Sequence, residues 1–170
     1  IYRGLPQNLP IKVRGDAAWF VFDYLQGGLG LYRTDGTPAG TTWAPIGWYG
    51  FEDFEVLTSR IVITADNEVV GTDGVTYPQP LGVNGAAPRL YRLNDDALLV
   101  GTQSGLFVTD GTASGTSQLA TLTLSPSQGV VRNGIAWLLS GGDVWQCDGT
   151  AAGTSRIGSL PATATGPTLL

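Results

Sequence analysis

Short apolar runs alternate with glycine-rich polar turns along the whole chain, and no stretch keeps a 3.6-residue hydrophobic period long enough for a helix. Continuous apolar runs of three or four residues are typical of strands buried on both faces. Four such runs occupy residues 19–22, 61–63, 97–100 and 136–139. Each has a weaker strand before it and two more after it. The pattern therefore predicts an all-β protein in which a unit of four antiparallel strands occurs four times.

A seven-residue motif fixes the register of this repeat. Leu-Tyr-Arg-Thr-Asp-Gly-Thr at 31–37 returns in related form at 106–112 and 144–150, with a shorter copy at 69–75. The motif aspartates are Asp35, Asp73, Asp110 and Asp148, spaced 38, 37 and 38 residues apart. Four-stranded units in tandem predict the blades of a β-propeller. The expected domain spans 1–170, with repeats at approximately 11–47, 48–82, 83–122 and 123–160.

The motif is expected to lock a hairpin between the third and fourth strands of each unit. An aspartate carboxylate accepts bonds from backbone N–H groups two or three residues on, and glycine supplies a positive φ. A threonine hydroxyl ties the two arms together. The second copy carries Tyr77-Pro78-Gln79-Pro80 in place of the Gly-Thr tail of the others, so its hairpin is expected to be shorter or distorted.

This motif resembles the tandem Leu-Trp-x-Thr-Asp-Gly-Thr-x-x-Gly-Thr repeats of bacterial secreted and surface proteins. With a longer turn, it is also similar to the Asp-box hairpins of sialidase-type propellers, which are structural there. The resemblance implies an extracellular or cell-surface location. It also implies a structural role for the four motif aspartates.

The sequence does not fix how the ring closes, and a closed four-bladed ring is favoured over assembly from two chains. Four repeats leave short segments at each end, which suit a closed four-bladed ring, half of an eight-bladed ring completed by a second copy, or a slice of a longer array. An uncompleted ring would expose a sheet face and strand edges. The chain begins at Ile1 and contains no methionine, which predicts a processed or excised piece.

The amino-acid composition excludes several kinds of catalytic and metal site. The absence of histidine excludes Ser-His-Asp triads and imidazole metal sites, and the single cysteine, Cys147, excludes an intrachain disulfide. Cys147 stands where other copies have Thr34, Thr72 and Thr109, so it is expected to pack as a threonine substitute and not to act as a nucleophile. Calcium needs six to eight oxygen ligands, and each hairpin offers one carboxylate. No metal and no cofactor are expected.

The net charge of the chain and the distribution of its basic residues bear on which partners it can bind. Nine basic and fourteen acidic residues give a net charge of −5, and the basic residues form no run. The electrostatic footprint of a nucleic-acid or anionic-membrane partner is therefore missing. No apolar stretch approaches the roughly 20 residues of a membrane-spanning helix, so membrane insertion is not expected.

Ligand-binding residues are expected on the face opposite the Asp-Gly hairpins, where blade-to-blade loops and the turns between second and third strands lie. Residues 47–53 hold three aromatics and two acids that suit a stacking platform for a sugar or a peptide. The alternative is that Trp48 and Phe51 wedge between neighbouring blades. The candidate ligand-binding residues are Trp48, Tyr49, Phe51, Glu52, Asp53, Tyr24, Asn67 and Gln103. Asp66, Ser104 and Asp143 are further polar loop residues, and for all the polar ones the alternative is a solvated turn.

Arginines recur at matching points of three repeats, as Arg14, Arg92 and Arg132. They suit either a ring of anion-binding guanidiniums or, as favoured here, structural pairs with the carboxylate of a neighbouring repeat's turn, such as Asp16 or Asp95. No spacing enforces a sialidase-like glycoside hydrolase site.

The sequence predicts a non-enzymatic binding or adhesion module that recognises carbohydrate or protein through its loop face. The alternative is a structural scaffold or assembly unit of a larger surface protein, partnered by a second copy or by the remainder of a longer array.

Overall fold

A computed structural model describes residues 10–24, 28–47, 50–122 and 128–161, with the side chains of 23 and 24 excepted. These residues form sixteen strands in four separate four-stranded antiparallel sheets. The prediction of an all-β chain built from four units of four strands is therefore confirmed. Within the described part of the chain there is no helix, and so none long and apolar enough to cross a membrane.

Each sheet is a simple up-and-down arrangement in which neighbours in sequence are neighbours in the sheet. The first sheet contains β1 (Lys12–Arg14), β2 (Ala17–Tyr24), β3 (Gly28–Thr34) and β4 (Thr42–Pro45). The second contains β5 (Phe51–Val56), β6 (Ile61–Ala65), β7 (Glu68–Thr72) and β8 (Gln79–Pro80). The third contains β9 (Arg89–Arg92), β10 (Leu98–Thr102), β11 (Gly105–Thr109) and β12 (Ser117–Ala120). The fourth contains β13 (Gly129–Arg132), β14 (Ile135–Ser140), β15 (Asp143–Cys147) and β16 (Ser155–Ser159).

Turn chemistry explains why the strands reverse where they do. Asp66 and Asn67 join β6 to β7 with φ values of 51° and 64°, and Asn133 and Gly134 join β13 to β14 with 53° and 75°. Two successive positive φ values are the geometry of the tight hairpin turns that match the twist of antiparallel strands. Asn, Asp and Gly tolerate that region best, so these dipeptides set the register of the strands they connect.

The second sheet has the shortest outer strand. β8 contains only Gln79 and Pro80, which pair with Gly71 and Val70. Proline has no N–H to donate to a ladder, so it is tolerated only at a sheet edge such as this one. The shortened hairpin expected from the sequence of this repeat is present.

Within the part of the chain that the structure describes, three apolar cores hold the sheets together, each between consecutive sheets. The first core joins Val21 and Leu31 of the first sheet to Phe54, Ile63 and Val70 of the second. The second core joins Val62 and Val69 of the second sheet, and Leu81 just after it, to Leu98, Val100 and Phe107 of the third. The third core joins Leu99 and Leu106 of the third sheet, and Leu122 just after it, to Ala136, Leu138 and Cys147 of the fourth. The first strands of consecutive sheets also touch, β1 with β5, β5 with β9, and β9 with β13.

The repeat motif determines which face of each sheet meets which neighbour. The residue four positions before the motif aspartate faces the following sheet, as Leu31, Val69 and Leu106 do. The residue three positions before it faces the preceding sheet, as Val70, Phe107 and Trp145 do. Side chains alternate between the two faces of a strand, so the same rule places Tyr32 on the outer face of the first sheet and Val144 on the outer face of the fourth.

Burial on both faces is found only for some of the apolar runs. Every residue of β6 and of β10 is buried, as predicted. The prediction is wrong for the first sheet, where Phe22 is 58% exposed. The physical reason is that no sheet within the described residues lies against the outer face of the first sheet, whereas the second and third sheets are covered on both sides.

Candidate functional site

The aromatic platform predicted around residues 47–53 is not assembled among the described residues. Trp48 and Tyr49 lie outside them, as does the side chain of Tyr24 at the end of β2. Phe51 belongs to β5, is only 7% exposed, and packs 6.1 Å from the ring of Phe54 in the first core. Phe51 therefore serves the core between two sheets, as the alternative interpretation had it, and is not available to stack on a ligand. Carbohydrate or protein recognition by Trp48 and Tyr49 stays a prediction.

The two acids that follow Phe51 lie in β5 and not in a loop, which corrects the sequence assignment. Lys12 of β1 places its Nζ 2.6 Å from Glu55 Oε1 and 3.7 Å from Asp53 Oδ1. These ion pairs connect the first strands of two sheets. Glu52 is exposed, and its pKa is raised mainly by partial desolvation.

Asn67 and Gln103 fasten the connection between the second and third sheets. The Asn67 side-chain oxygen accepts the N–H of Ala87 at 3.1 Å, and the N–H of Gln103 donates to the carbonyl of Ala86 at 3.2 Å. The carbonyl of Asn84 accepts the hydroxyls of Thr102 (2.9 Å) and Ser104 (2.8 Å). These residues bind their own chain, so on this part of the face the structure supports a structural role.

The four motif aspartates act within their own hairpins. One carboxylate oxygen of Asp35, Asp110 and Asp148 accepts the N–H of the threonine two positions later at 2.8–2.9 Å and its hydroxyl at 2.7–2.8 Å. Asp73 accepts the N–H groups of Val75 and Thr76 and the Thr76 hydroxyl, and these bonds lower its pKa to about 2. The bonds from threonine also lower the pKa values of Asp35 and Asp148. The carboxylates are thus used to stabilise turns.

A second lock joins the two arms of three hairpins. The hydroxyls of Thr34 and Thr41 lie 2.8 Å apart, and those of Thr109 and Thr116 lie 2.7 Å apart. In the fourth sheet the sulfur of Cys147 takes this position, accepting the Thr154 hydroxyl at 3.1 Å and the Gly149 N–H at 3.3 Å. The cysteine is fully buried and makes the contacts that a threonine makes elsewhere.

Replacing this cysteine by threonine should strengthen the fourth hairpin. We expect Cys147→Thr to raise the free energy of unfolding by about 1 kcal/mol, because a hydroxyl oxygen accepts hydrogen bonds better than sulfur does. Cys147→Val is the matched control. It keeps the branched shape but removes the acceptor, so it should lower the free energy of unfolding by about 1–3 kcal/mol. Urea denaturation of the three proteins measures both effects, and equal stability of the threonine and valine variants would contradict the assigned role.

Two of the three recurring arginines, Arg14 and Arg92, form an ion-pair network with a turn carboxylate, whereas no ion pair of Arg132 is found among the described residues. Asp95 Oδ1 lies 3.0 Å from Arg14 Nη1 and 2.5 Å from Arg92 Nη2, so one carboxylate serves two guanidiniums. Arg14 lies two sheets away from Asp95, not in the neighbouring repeat. It also donates to the hydroxyl of Thr58 at 2.8 Å, and the N–H of Thr58 donates to the Asp95 carbonyl at 2.8 Å. The first turns of three sheets therefore converge on one point.

A cavity of about 570 Å³ opens beside this network, at the end of the sheets where the Asp-Gly hairpins lie. The sequence placed its candidate residues on the opposite face and missed Trp19 and Arg33, which line this cavity. One feature of the sequence distinguishes Arg33. Arg33 stands two positions before its motif aspartate, where the other repeats carry Gly71, Val108 and Gln146.

The comparisons with known proteins add no relative. No protein-family model matches the chain, and no curated protein matches it in sequence. Nor do any three cysteine or acidic side chains of the described residues come together in a group that would hold a metal ion.

Proposed function

We propose that the four sheets are blades of a β-propeller-type ring and that the chain is a non-enzymatic assembly unit of a secreted or surface protein. In this proposal the outer face of the first sheet is covered by the outer face of the fourth sheet of a second copy. The observation that carries it is the aromatic outer face of the first sheet, against which no other sheet of the described residues packs.

The outer face of the first sheet exposes large aromatic side chains close together, which is uncommon on the surface of a soluble monomer. Phe22 is 58% exposed and Trp43 is 53% exposed. Their rings surround Tyr32, which stacks on Phe20 at 5.4 Å and on Trp43 at 6.2 Å and meets Phe22 edge-on at 6.3 Å. Large contiguous apolar patches on soluble proteins mark interaction sites, and aromatic residues dominate the energetics of interfaces.

The motif glycines also indicate that the outer side of the first sheet suits a neighbouring sheet that the described residues do not supply. Gly74 of the second sheet lies against Trp19 of the first, and the backbones of Gly111 and Gly71 meet between the third and second sheets. Gly149 of the fourth hairpin likewise lies against Leu93 and Val108 at the third sheet. Gly36, the corresponding glycine of the first sheet, has nothing within 4 Å of a Cβ placed there. Among the described residues, the contact that each later hairpin makes with a preceding sheet therefore has no counterpart at the first hairpin.

The fourth sheet offers the complementary surface. Val144 and Gln146 stand at the motif positions that face the following sheet in the other repeats, and Val130 on the same face is 46% exposed. The chain therefore carries, at its two ends, the two halves of the interface that it uses three times internally. Two copies joined through both halves would make an eight-bladed ring with no uncovered end.

Light scattering tests the assembly. We expect a solution mass twice the 17.8 kDa of the chain. Phe22→Ser should weaken association by about tenfold or more, since truncated aromatic anchors typically cost more than 1 kcal/mol. Val75→Ser is the matched control, because Val75 is 81% exposed in a hairpin outside the face and its loss should leave the mass unchanged.

Mixing two variants tests which faces meet. Phe22→Ser leaves the fourth-sheet face intact, and Val130→Arg leaves the first-sheet face intact. An equal mixture should therefore keep one intact interface and associate more tightly than either variant alone, in which both interfaces carry a substitution. A mass of 17.8 kDa for the unmodified chain at every concentration, or failure of the mixture to associate, would overturn the proposed pairing.

A further inference from the structure

The cavity beside Asp95 is large enough to admit a small molecule. Its volume of about 570 Å³ falls within the range of roughly 300–1,000 Å³ that is usual for ligand pockets. It is lined by residues of the first, second and third sheets, and it lies on the opposite side of the first sheet from the aromatic outer face. Its occupation is therefore independent of the assembly proposed above.

Positive charge is in excess within the cavity. The lining holds three arginines, Arg14, Arg33 and Arg92, and one acid, Asp95, which leaves a net charge of +2. Arg14 and Arg92 share the same carboxylate oxygen, so their two charges are balanced by one. The protein as a whole is acidic, with a net charge of −5, which makes a local cationic excess stand out.

The guanidiniums are held in place before any ligand arrives. Arg14 is fixed by Thr58 and by both the carboxylate and the carbonyl of Asp95. Arg33 lies with its Cζ 5.8 Å from the centre of the Trp19 ring and donates to the Gly40 carbonyl at 3.5 Å. Prearranged donors lose little freedom on binding, and guanidinium groups recognise planar carboxylates through paired hydrogen bonds.

Apolar side chains also line the cavity. Trp19, Val56 and Leu57 border the cavity together with Ala17. A pocket with apolar walls and a few convergent charged groups orients a ligand by its charged end and packs against the rest of it. The lining thus matches a molecule that carries one anionic group on a compact ring.

We propose that this cavity binds a small organic carboxylate, with the carboxylate between Arg33 and Arg92 and its ring against Trp19 and Leu57. Two ring types satisfy this chemistry, a sugar acid and an aromatic acid. Glucuronate and phenylacetate represent them as probes. Glucose and 2-phenylethanol are the corresponding neutral molecules.

Nuclear magnetic resonance titration of the full chain distinguishes the outcomes. We expect at least one of the two acids to shift the Trp19 indole signal with a dissociation constant in the range of about 1–10 mM, and its neutral counterpart not to bind. The acid that binds identifies the ring type. Binding should weaken as salt is raised, because the contact is between charges.

Two substitutions locate the site. Arg33→Gln should weaken binding by about tenfold or more, since it removes a cationic donor without touching the Arg14–Asp95 network. Arg132→Gln is the matched control. It removes the arginine that corresponds to Arg92 in the fourth repeat and lies outside the cavity, so binding should stay within about twofold.

Several results would overturn this inference. They are equal binding of an acid and its neutral counterpart, the same loss in Arg132→Gln as in Arg33→Gln, or no shift by either acid up to about 50 mM. Folding of each variant is checked by the dispersion of its amide spectrum. Should Arg33→Gln fail to fold, Arg33→Lys replaces it, because lysine keeps the charge but loses the paired donors and should also bind more weakly.

Discussion

Gly71→Ala is expected to lower the free energy of unfolding by about 3 kcal/mol, more than a typical single substitution in a strand does. A Cβ at this position would lie 2.1 Å from the carbonyl oxygen of Gly111, which belongs to the hairpin of the next sheet. Both atoms are attached to backbone, so relief requires the second and third sheets to move apart. That movement would also loosen the core that contains Leu81 and Phe107.

Gly158→Ala is the matched control for this substitution. Gly158 also lies in a strand, β16, but nothing stands within 4 Å of a Cβ placed there. We expect Gly158→Ala to be neutral or to stabilise the protein by up to about 1 kcal/mol, because alanine restricts the unfolded chain more than glycine does. Chemical denaturation of both variants decides the matter. Equal effects at the two positions would show that the sheets are not as closely packed as described.

The repeated elements were predictable from sequence because their causes are local. A motif aspartate, the glycine after it and the threonine two positions on lie within one turn, so their hydrogen bonds follow from spacing alone. The same holds for Asn133 and Gly134, whose positive φ values suit a two-residue hairpin. Cys147 could be assigned to packing because the other repeats show threonine at its position.

The burial of individual faces could not be predicted in the same way. Residues 19–22 and 97–100 are equally apolar, yet Phe22 is largely exposed while Val100 is fully buried. What differs is the neighbour of each sheet. The third sheet has a sheet on both sides, and the first has one on a single side among the described residues. Sequence pattern reports which residues suit a covered face, but it does not report what covers it.

The cavity was missed for a related reason. Its charged wall is assembled from Arg14 and Asp95, which are 81 residues apart in the chain. Their contact depends on the curvature that successive sheet-on-sheet packings create, and no single repeat contains that information. The predicted site on the loop face relied instead on aromatic residues within one segment. One of these, Phe51, proved to be part of a core.

Phe54→Ala is expected to have the largest effect of any substitution considered, lowering the free energy of unfolding by about 3–5 kcal/mol. Phe54 is 0% exposed and sits between the first and second sheets, where it packs with Phe51, Ile63 and Val70. Truncation removes the buried ring and leaves a cavity that rigid strands on both sides cannot collapse to fill.

Phe22→Ala is the comparison that gives this prediction its meaning, because it deletes the same side chain from an exposed position. Measured at concentrations low enough to keep the chain dissociated, it should cost at most about 1 kcal/mol, mostly from the lost edge-on contact with Tyr32. At high concentration its effect should grow, since the proposed second copy packs on this ring and adds binding free energy to stability. If Phe22→Ala lowers the free energy of unfolding by the same amount at every protein concentration, that face lies outside any interface. A loss below about 1 kcal/mol for Phe54→Ala would contradict the packing of the first two sheets.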